Sequence, residues 1–345
     1  MIIAYIILLV LLLWGLRFHV DGNNDAYMSK DCTNVVKGLF IGLIFMKHLM
    51  DYVNESGYAY NAFGDHLMLS IQSHMGQLVV VMFLFYSGYG IMESYKHKGA
   101  CYVKTMPRKR LLGTLLNFDV AVLLFIILNL ILGKELTPSQ CLLSLTAWDS
   151  VGNSNWYIFV ILLCYLFAYI SFRIDCIGKR EQAVIVFLTL SLISYIILAK
   201  TKGTWWYDTF FCFCVGMIFS GFKEKIEKII DKQYWLVLLA VGILFILAYL
   251  FPKGLHGLRH NAVSILFAMF VVILTRKIEL RSKPLMWMGK NLFPLYIYQR
   301  LSMILFYEMD GGKFVSHHLY SYIIICAFIT FLFGYFHRYF AINLK

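Results

Sequence analysis

Long apolar stretches alternate with short polar segments along the whole chain. A hydrocarbon core about 30 Å thick needs about 20 apolar helical residues to cross it. Few prolines interrupt the stretches, and the alternation of about ten residues that marks a membrane barrel does not occur. We therefore predict an all-α fold, a polytopic transmembrane helical bundle of about eleven spans, centred near residues 10, 44, 84, 122, 163, 191, 213, 242, 268, 296 and 328.

The first apolar stretch, MIIAYIILLVLLLWGL, has no basic residue before it and no small-residue cleavage site after it. These features favour a retained helix over a signal peptide. We predict that residues 1–32 form an extra N-terminal transmembrane helix and loop. Residues 33–345 are then expected to form a ten-helix membrane domain.

The distribution of basic residues predicts an orientation in the membrane. If the loop from Tyr95 to Leu111 is cytoplasmic, the loops on its side hold 21 of the 31 lysines and arginines, whereas the opposite loops hold six and four lie within spans. Cytoplasmic loops are enriched in lysine and arginine. The N-terminus is therefore predicted outside and the C-terminus in the cytoplasm.

Composition supports this class and excludes others. The chain is 60% hydrophobic and 14% charged, with a mean hydropathy of +0.71, as expected of an integral membrane protein. Its net charge of +12 mainly reflects orientation, and no separate soluble domain presents a basic surface to nucleic acid. The eight cysteines are scattered, several inside apolar stretches, which indicates core residues rather than disulfides. No metal-binding motif occurs, so no metal site is predicted.

The second span, NVVKGLFIGLIFMKHLMDYV, carries Lys37 near its predicted cytoplasmic end and His48 in its outer third. At about 100° and 1.5 Å per residue, the two lie on one helix face about 16 Å apart. Lys37 alone could snorkel to the headgroups, and His48 could be a hydrogen-bonded core residue. We favour a functional pair, because such residues are rarely placed in spans without use. The Gly38-x-x-x-Gly42 spacing also admits a close neighbour helix.

Other polar residues in the predicted spans extend this hypothesis. Asp119 is the only carboxylate well inside a span, where it could pair with Lys37 or Arg110 or line the same cavity. The tenth span is expected to kink at Pro294, because proline removes a backbone donor. A broken polar helix favours an internal cavity, although ordinary interhelical hydrogen bonds also explain its polar residues. These are Lys290, Asn291, Gln299 and Arg300.

Four stretches, in order along the chain, carry a resemblance to a known family. They are a lysine, ten residues and a histidine (Lys37 and His48); the aromatic run VVVMFLFYSGYGIM with Ser87 and Gly88; NWYIFVILLCYLF with Trp156, Tyr157 and Tyr165; and the late pattern MGKNLFPLYIYQ. Together they resemble the integral-membrane acyltransferase-3 family, enzymes that O-acylate cell-surface polysaccharides and related acceptors. The family's ten spans would correspond to the second to eleventh spans here.

Three positions depart from the family's pattern. Gln299 stands where the family has a late histidine, and glutamine carries no proton at neutral pH. Val81 occupies an acidic position. Gly113 stands where a second arginine would follow the basic run formed by Arg108, Lys109 and Arg110.

The resemblance implies an O-acyltransferase in a multi-pass, bacterial plasma membrane. It would move an acyl group, most often acetyl from acetyl-CoA, from the cytoplasmic side to a hydroxyl of an extracytoplasmic or lipid-linked glycan. Acyl-CoA would be a co-substrate, with no permanently bound cofactor. His48 would be the catalytic base. The donor-binding candidates are Lys37, Arg108, Lys109 and Arg110, and the candidate cavity-lining residues are Ser87, Asp119, Trp156, Tyr157, Asn291, Tyr296, Gln299 and Arg300.

A transporter or exporter is the alternative class. There Lys37, His48, Asp119 and Arg300 would form an ion-coupled pathway, and no bond would be made. Many transporters carry inverted or parallel repeats. No internal repeat is evident in this chain, and its absence favours the enzyme.

Overall fold

The computed structural model describes residues 2–251 and 256–344, and it is 78% helical with almost no sheet. This confirms the predicted all-α class. The first half contains α1 (Ile2–Leu13), β1 (Arg17–Phe18), α2 (Lys30–Glu55), α3 (Asp65–Met75), α4 (Leu78–Met106), a π-helix (Pro107–Leu112), α5 (Gly113–Ile131), α6 (Pro138–Leu145) and α7 (Trp156–Asp175). The second half contains α8 (Arg180–Thr201), a 3₁₀-helix (Thr204–Trp206), α9 (Phe211–Gly221), α10 (Lys223–Lys232), α11 (Tyr234–Leu250), α12 (His256–Thr275), β2 (Ile278–Glu279), α13 (Lys283–Lys290), α14 (Leu292–Glu308), α15 (Lys313–His317) and α16 (Leu319–Phe340).

Every predicted span centre lies inside a helix. Among the described residues, six ranges are long and apolar enough to cross a membrane, and a seventh counts if α10 and α11, bent by 103°, form one span. The protein is therefore a multi-pass membrane protein. The count of eleven spans and the orientation of the termini stay predictions. The six ranges are Lys30–Glu55, Leu78–Ile131, Trp156–Asp175, Glu181–Thr201, Gly257–Thr275 and Leu319–Phe340.

The first helix is shorter than predicted. α1 has 12 residues, which rise about 18 Å, less than the thickness of a hydrocarbon core of about 30 Å. The helix gives way to Gly15, which has a positive φ of 81°. The chain then forms β1, in which Arg17 lies opposite Glu279 and Phe18 opposite Ile278 of β2.

Two helix pairs pack with their main chains in contact, and glycines make this possible. A Cβ at Gly38 of α2 would lie 1.8 Å from the Leu285 carbonyl oxygen, and a Cβ at Gly289 of α13 would lie 1.9 Å from that of Asn34. The contact between α4 and α9 has the same form. There, a Cβ at Gly88 or at Gly216 would lie 2.0 Å from a carbonyl oxygen of the other helix. Small residues permit this close approach of membrane helices.

The segment from Tyr95 to Leu111 is helical, so the predicted loop is wrong. α4 continues through it to Met106 with one non-helical residue, Gly99, at φ 49° and ψ −134°. Glycine adopts this conformation because it has no Cβ. The π-helix follows, and its geometry is closed by the Gly113 N–H donating to the Arg108 carbonyl.

The part of α4 after Gly99 is amphipathic. Tyr102, Val103 and Met106 are buried, whereas Lys104 and Thr105 are exposed. The polar residues of this segment indicate contact with water, and this led to the prediction of a loop. A helix at the surface exposes polar residues to water equally well.

The broken helix of the tenth span is present, but the break lies before Pro294. α13 and α14 are separated at Asn291, with φ −103° and ψ 25°. Pro294 occupies the first turn of α14, where a missing N–H costs no helical hydrogen bond. The predicted kink at the proline is therefore wrong in position.

Replacing Gly289 by alanine tests the contact between α2 and α13. We expect Gly289→Ala to lower the free energy of unfolding by about 2–3 kcal/mol, because overpacking forces the main chains apart. The measurement is the apparent unfolding temperature of the purified protein in one detergent. Gly221→Ala is the matched control, since its Cβ would meet only the Met92 methyl, at 3.9 Å. Equal unfolding temperatures for the two variants would contradict the contact.

Candidate active site

A cavity of about 1320 Å³ lies beside α2, α4, the π-helix and α7. Such a volume exceeds that of most small-ligand pockets, which hold about 300–1,000 Å³. We call it the basic cavity. Its wall consists of Met28, Lys30, Thr33, Asn34, Lys37, Phe83, Tyr86, Ser87, Tyr89, Gly90, Ile91, Glu93, Ser94, His97, Lys98, Cys101, Tyr102, Thr105, Lys109, Arg110, Tyr165 and Leu292.

The charge on this wall is strongly unequal. Five lysines and arginines face one carboxylate, that of Glu93. Glu93 is already satisfied, because it accepts hydrogen bonds from Lys96 at 2.6 Å and from the Ser220 hydroxyl at 2.7 Å. The excess positive charge favours an anionic ligand. The five cations are Lys30, Lys37, Lys98, Lys109 and Arg110.

Two wall residues owe their positions to the glycines that follow them. Lys37 precedes Gly38, which contacts α13, and Ser87 precedes Gly88, which contacts α9. Neighbouring residues of a helix point about 100° apart. Because the glycine faces its partner helix, the residue before it faces the cavity.

The bend at Gly99 supplies the other side of the cavity. It carries Cys101, Tyr102 and Thr105 onto the wall, and the π-helix adds Lys109 and Arg110. π-helical turns are rare and recur at functional sites. Here the turn presents two adjacent basic residues to one cavity.

At the inner end of the basic cavity, Ser87 meets a cluster of tyrosines. Ser87 lies beside the side chains of Tyr157 and Tyr165. The Tyr86 hydroxyl, also on the wall, is buried and forms no hydrogen bond with any described residue. A buried hydroxyl without a partner is costly, so this end of the cavity suits a polar ligand group or water.

Two aromatic rings link this cluster to His48. The Tyr157 and Tyr296 rings are 5.3 Å apart in an edge-to-face contact, and the Tyr296 and His48 rings are 6.2 Å apart. The Nδ1 atom of His48 is buried without a hydrogen-bond partner among the described residues, although the residue as a whole is only partly buried. The Tyr296 hydroxyl lies beside Ser154 without a hydrogen bond of standard geometry. His48 thus lies behind a tyrosine pair, off the cavity wall.

Beyond His48, α2 and α14 form a second polar contact. The Arg300 Nε–H donates to the Tyr52 hydroxyl at 3.0 Å, and its guanidinium lies 5.5 Å from the centre of the Tyr52 ring. The Arg300 charge also acts on His48. Gln299 is fully buried and donates from Nε2 to the Tyr296 carbonyl at 3.2 Å, and its Oε1 has no partner among the described residues.

The structure brings some predicted residues together and leaves others apart. Lys37, Ser87, Lys109 and Arg110 share the basic cavity, and Tyr157 and Tyr296 connect it to His48. Arg108 is not on the cavity wall, although its two successors in the π-helix are.

Three further candidates also lie off the basic cavity. Asp119 lines no described cavity wall, and its Oδ1 is buried without a hydrogen bond among the described residues. The Asn291 amide donates to the Trp287 carbonyl at 2.9 Å, a bond within its own helical turn rather than between helices. Trp156 contacts the Tyr157 ring at 6.0 Å. Asn291 and Trp156 therefore support the site rather than line the cavity.

Sequence reasoning missed several wall residues. Lys98 and His97 precede the basic residues that were selected as donor contacts, and Tyr86 directly precedes Ser87. Tyr52 follows His48 by one helical turn, which was the available signal for it. In the described part of the chain, no group of three histidine, cysteine, aspartate or glutamate side chains is arranged to hold a metal ion.

The chain was compared with curated proteins, solved structures and protein families. Neither a curated protein nor a solved structure matches the chain. The family model described as an acyltransferase domain, that of the acyltransferase-3 family, matches residues 31–339. The match begins one residue after the start of α2 and includes every residue of the site except Met28 and Lys30 of the cavity wall. The chain therefore belongs to the acyltransferase-3 family, and the protein is a membrane acyltransferase.

Proposed function

We propose that this acyltransferase moves an acetyl group from acetyl-CoA, on the cytoplasmic side of a bacterial plasma membrane, to a hydroxyl of an extracytoplasmic or lipid-linked glycan. One observation carries the proposal. Ser87 lies on the wall of a large basic cavity and beside Tyr157, and the Tyr157 ring contacts Tyr296, which contacts His48, whose Nδ1 has no hydrogen-bond partner among the described residues. The proposed donor site and the proposed base are therefore linked through contacting side chains.

The donor end fits the chemistry of a CoA thioester. CoA carries phosphates, and lysine and arginine bind phosphate through charge-assisted hydrogen bonds. The wall offers Lys37, Lys109 and Arg110 for this purpose, whereas Arg108, also predicted as a donor contact, does not line it. Lys37 and His48 are separated by about 16 Å along α2, a distance comparable to an extended pantetheine arm.

The acceptor end fits base catalysis. His48 takes the proton of the acceptor hydroxyl as its oxygen attacks the thioester carbonyl carbon. The carbon–sulfur bond then breaks, and the CoA thiolate leaves and receives that proton from His48. The products are the O-acetylated acceptor and CoA. The step is written without an acyl-enzyme, because no hydrogen bond joins His48 Nδ1 to a cysteine or serine nucleophile among the described residues.

Tyr296 is the candidate that the geometry favours for stabilising the tetrahedral oxyanion. Its ring contacts His48, and its hydroxyl is buried without a hydrogen-bond acceptor among the described residues. A donor held in place without a partner can serve the negative charge that develops in the transition state. The Asn291 amide is less suited, because it already donates to Trp287. The transporter alternative gains no support, since Asp119 lies off the cavity that holds Lys37.

Removing the imidazole of His48 tests the base. We expect His48→Ala to lower acetyl transfer at least about 100-fold, the usual contribution of a general base, with an unchanged unfolding temperature. The assay is transfer of label from acetyl-CoA to glycans by the purified protein. His66→Ala, which replaces an exposed histidine of α3, is the control and is expected to retain full activity. Full transfer by His48→Ala would overturn the assignment.

Two neighbouring arginines test the donor contacts. We expect Arg110→Gln to raise the KM for acetyl-CoA by about 10- to 100-fold, because a hydrogen bond to a charged group contributes about 1.5–3 kcal/mol. Arg108→Gln removes the same charge from the same π-helix but from outside the cavity wall, and its KM is expected to stay close to that of the natural protein. Equal effects of the two substitutions would show that the loss is one of general charge rather than of a cavity contact.

A further inference from the structure

Arg300 is the first partly accessible residue of α14 after six buried ones, Pro294 to Gln299. It lies one helical turn after Tyr296, as Tyr52 lies one turn after His48. One turn rises about 5.4 Å. Since Tyr296 contacts His48 and Arg300 contacts Tyr52, α2 and α14 run in the same direction here. The Arg300–Tyr52 contact therefore lies past His48, on the side away from Lys37 and the basic cavity.

The guanidinium is oriented but not neutralised by an ion pair. Its Nε is bound to the Tyr52 hydroxyl, and the ring of Tyr52 lies against it. Neither terminal nitrogen has a hydrogen bond or an ion pair within 4.0 Å from any described residue. Arginine presents its terminal N–H groups as a planar fork that matches carboxylate and phosphate oxygens. The fork of Arg300 is therefore available to a ligand.

The charged neighbours of Arg300 leave this fork open. Asp51 and Glu55 are nearby on α2, and Asp51 also interacts with Lys47. Lys47 itself donates to the Gly76 carbonyl at 2.7 Å. Asp51 and Glu55 both lie at the surface, and their interactions with this contact are ones of charge at a distance. A half-buried guanidinium whose terminal nitrogens have no partner among the described residues is costly, and a bound anion would offset that cost.

We propose that Arg300 is an acceptor-binding residue and that the acceptor carries a negatively charged group, a carboxylate or a phosphate, close to the hydroxyl that is acylated. The inference rests on the proposed function, because the side of His48 away from the donor cavity is the side from which the acceptor would arrive. Arg300 would hold the anion by two parallel hydrogen bonds. Tyr52 would fix the plane of the guanidinium, and the acceptor hydroxyl would then lie at His48.

Matched acceptors that differ only in charge test this proposal. The carboxylate pair is tetragalacturonate and its methyl ester, which share every ring hydroxyl, and the phosphate pair is sn-glycerol 3-phosphate and glycerol. Binding of each compound to the detergent-purified full chain is measured by titration calorimetry, and kcat and KM are measured with labelled acetyl-CoA. The natural protein is expected to prefer one or both charged forms by about tenfold or more.

Substitutions then assign the preference to Arg300. Arg300→Gln is expected to raise the KM for the charged form until the charged and neutral forms are preferred about equally. Arg300→Lys is expected to retain part of the preference. Arg281→Gln removes an exposed arginine paired with Glu279 at 2.7 Å and should leave the preference unchanged. A preference for phosphate alone or for carboxylate alone supports the proposal and identifies the anion.

Three results would overturn the proposal. They are equal binding of charged and neutral forms by the natural protein, an undiminished preference in Arg300→Gln, and an equal fall of kcat for both forms in that variant. The last would indicate a role in the chemical step or in folding instead of acceptor binding. The calorimetric arm does not depend on turnover. If label transfer fails for every acceptor while the Arg300-dependent preference in binding persists, the proposed function fails and the anion site stands.

Discussion

The contact of α2 with α13 and that of α4 with α9 are the constraint on which the site depends. In both, glycines bring main chains so close that a Cβ would lie 1.8–2.0 Å from a carbonyl oxygen of the partner helix. Such contacts allow little rotation of either helix, because any rotation would drive a side chain into the opposing backbone. Lys37 and Ser87 each precede one of these glycines. The helix packing therefore also determines which side chains face the basic cavity.

This arrangement separates charge from the base. The five cations of the cavity wall can remain charged because the cavity gives them space for water or an anionic ligand. His48 lies apart from them, behind the Tyr157–Tyr296 contact, with its Nδ1 shielded from solvent. A donor bound through its phosphates would place its charged end among the cations and its uncharged thioester toward the tyrosines. From the cavity wall to His48, charged side chains are thus followed by aromatic ones. A CoA thioester would likewise have charged phosphates at one end and an uncharged thioester at the other.

The sequence predicted the helices and a few residues of the cavity wall, among them Lys37 and Ser87, for identifiable reasons. Apolar length is a direct requirement of a bilayer, so a helix occurs at every predicted centre. Helical periodicity and the family resemblance together selected Lys37, Ser87 and His48. The bend at Gly99 was not predictable, because one glycine in a polar segment is equally typical of a loop. Nor was the position of Arg108 off the cavity wall, since the wider π-helical turn changes which neighbouring side chains face the cavity.

The break between α13 and α14 connects the packing of the helices to the chemistry of the site. Asn291 ends α13 after the Gly289 contact with α2, and α14 begins a new helix whose direction is set independently. If α13 and α14 were one continuous helix, the contact of Gly289 with α2 would also fix the directions in which Tyr296 and Arg300 point. Because the helix is broken, α13 can keep main-chain contact with α2 while α14 presents Tyr296 to His48 and Arg300 to Tyr52. The break therefore allows one span to be both a packing partner and a wall of the site.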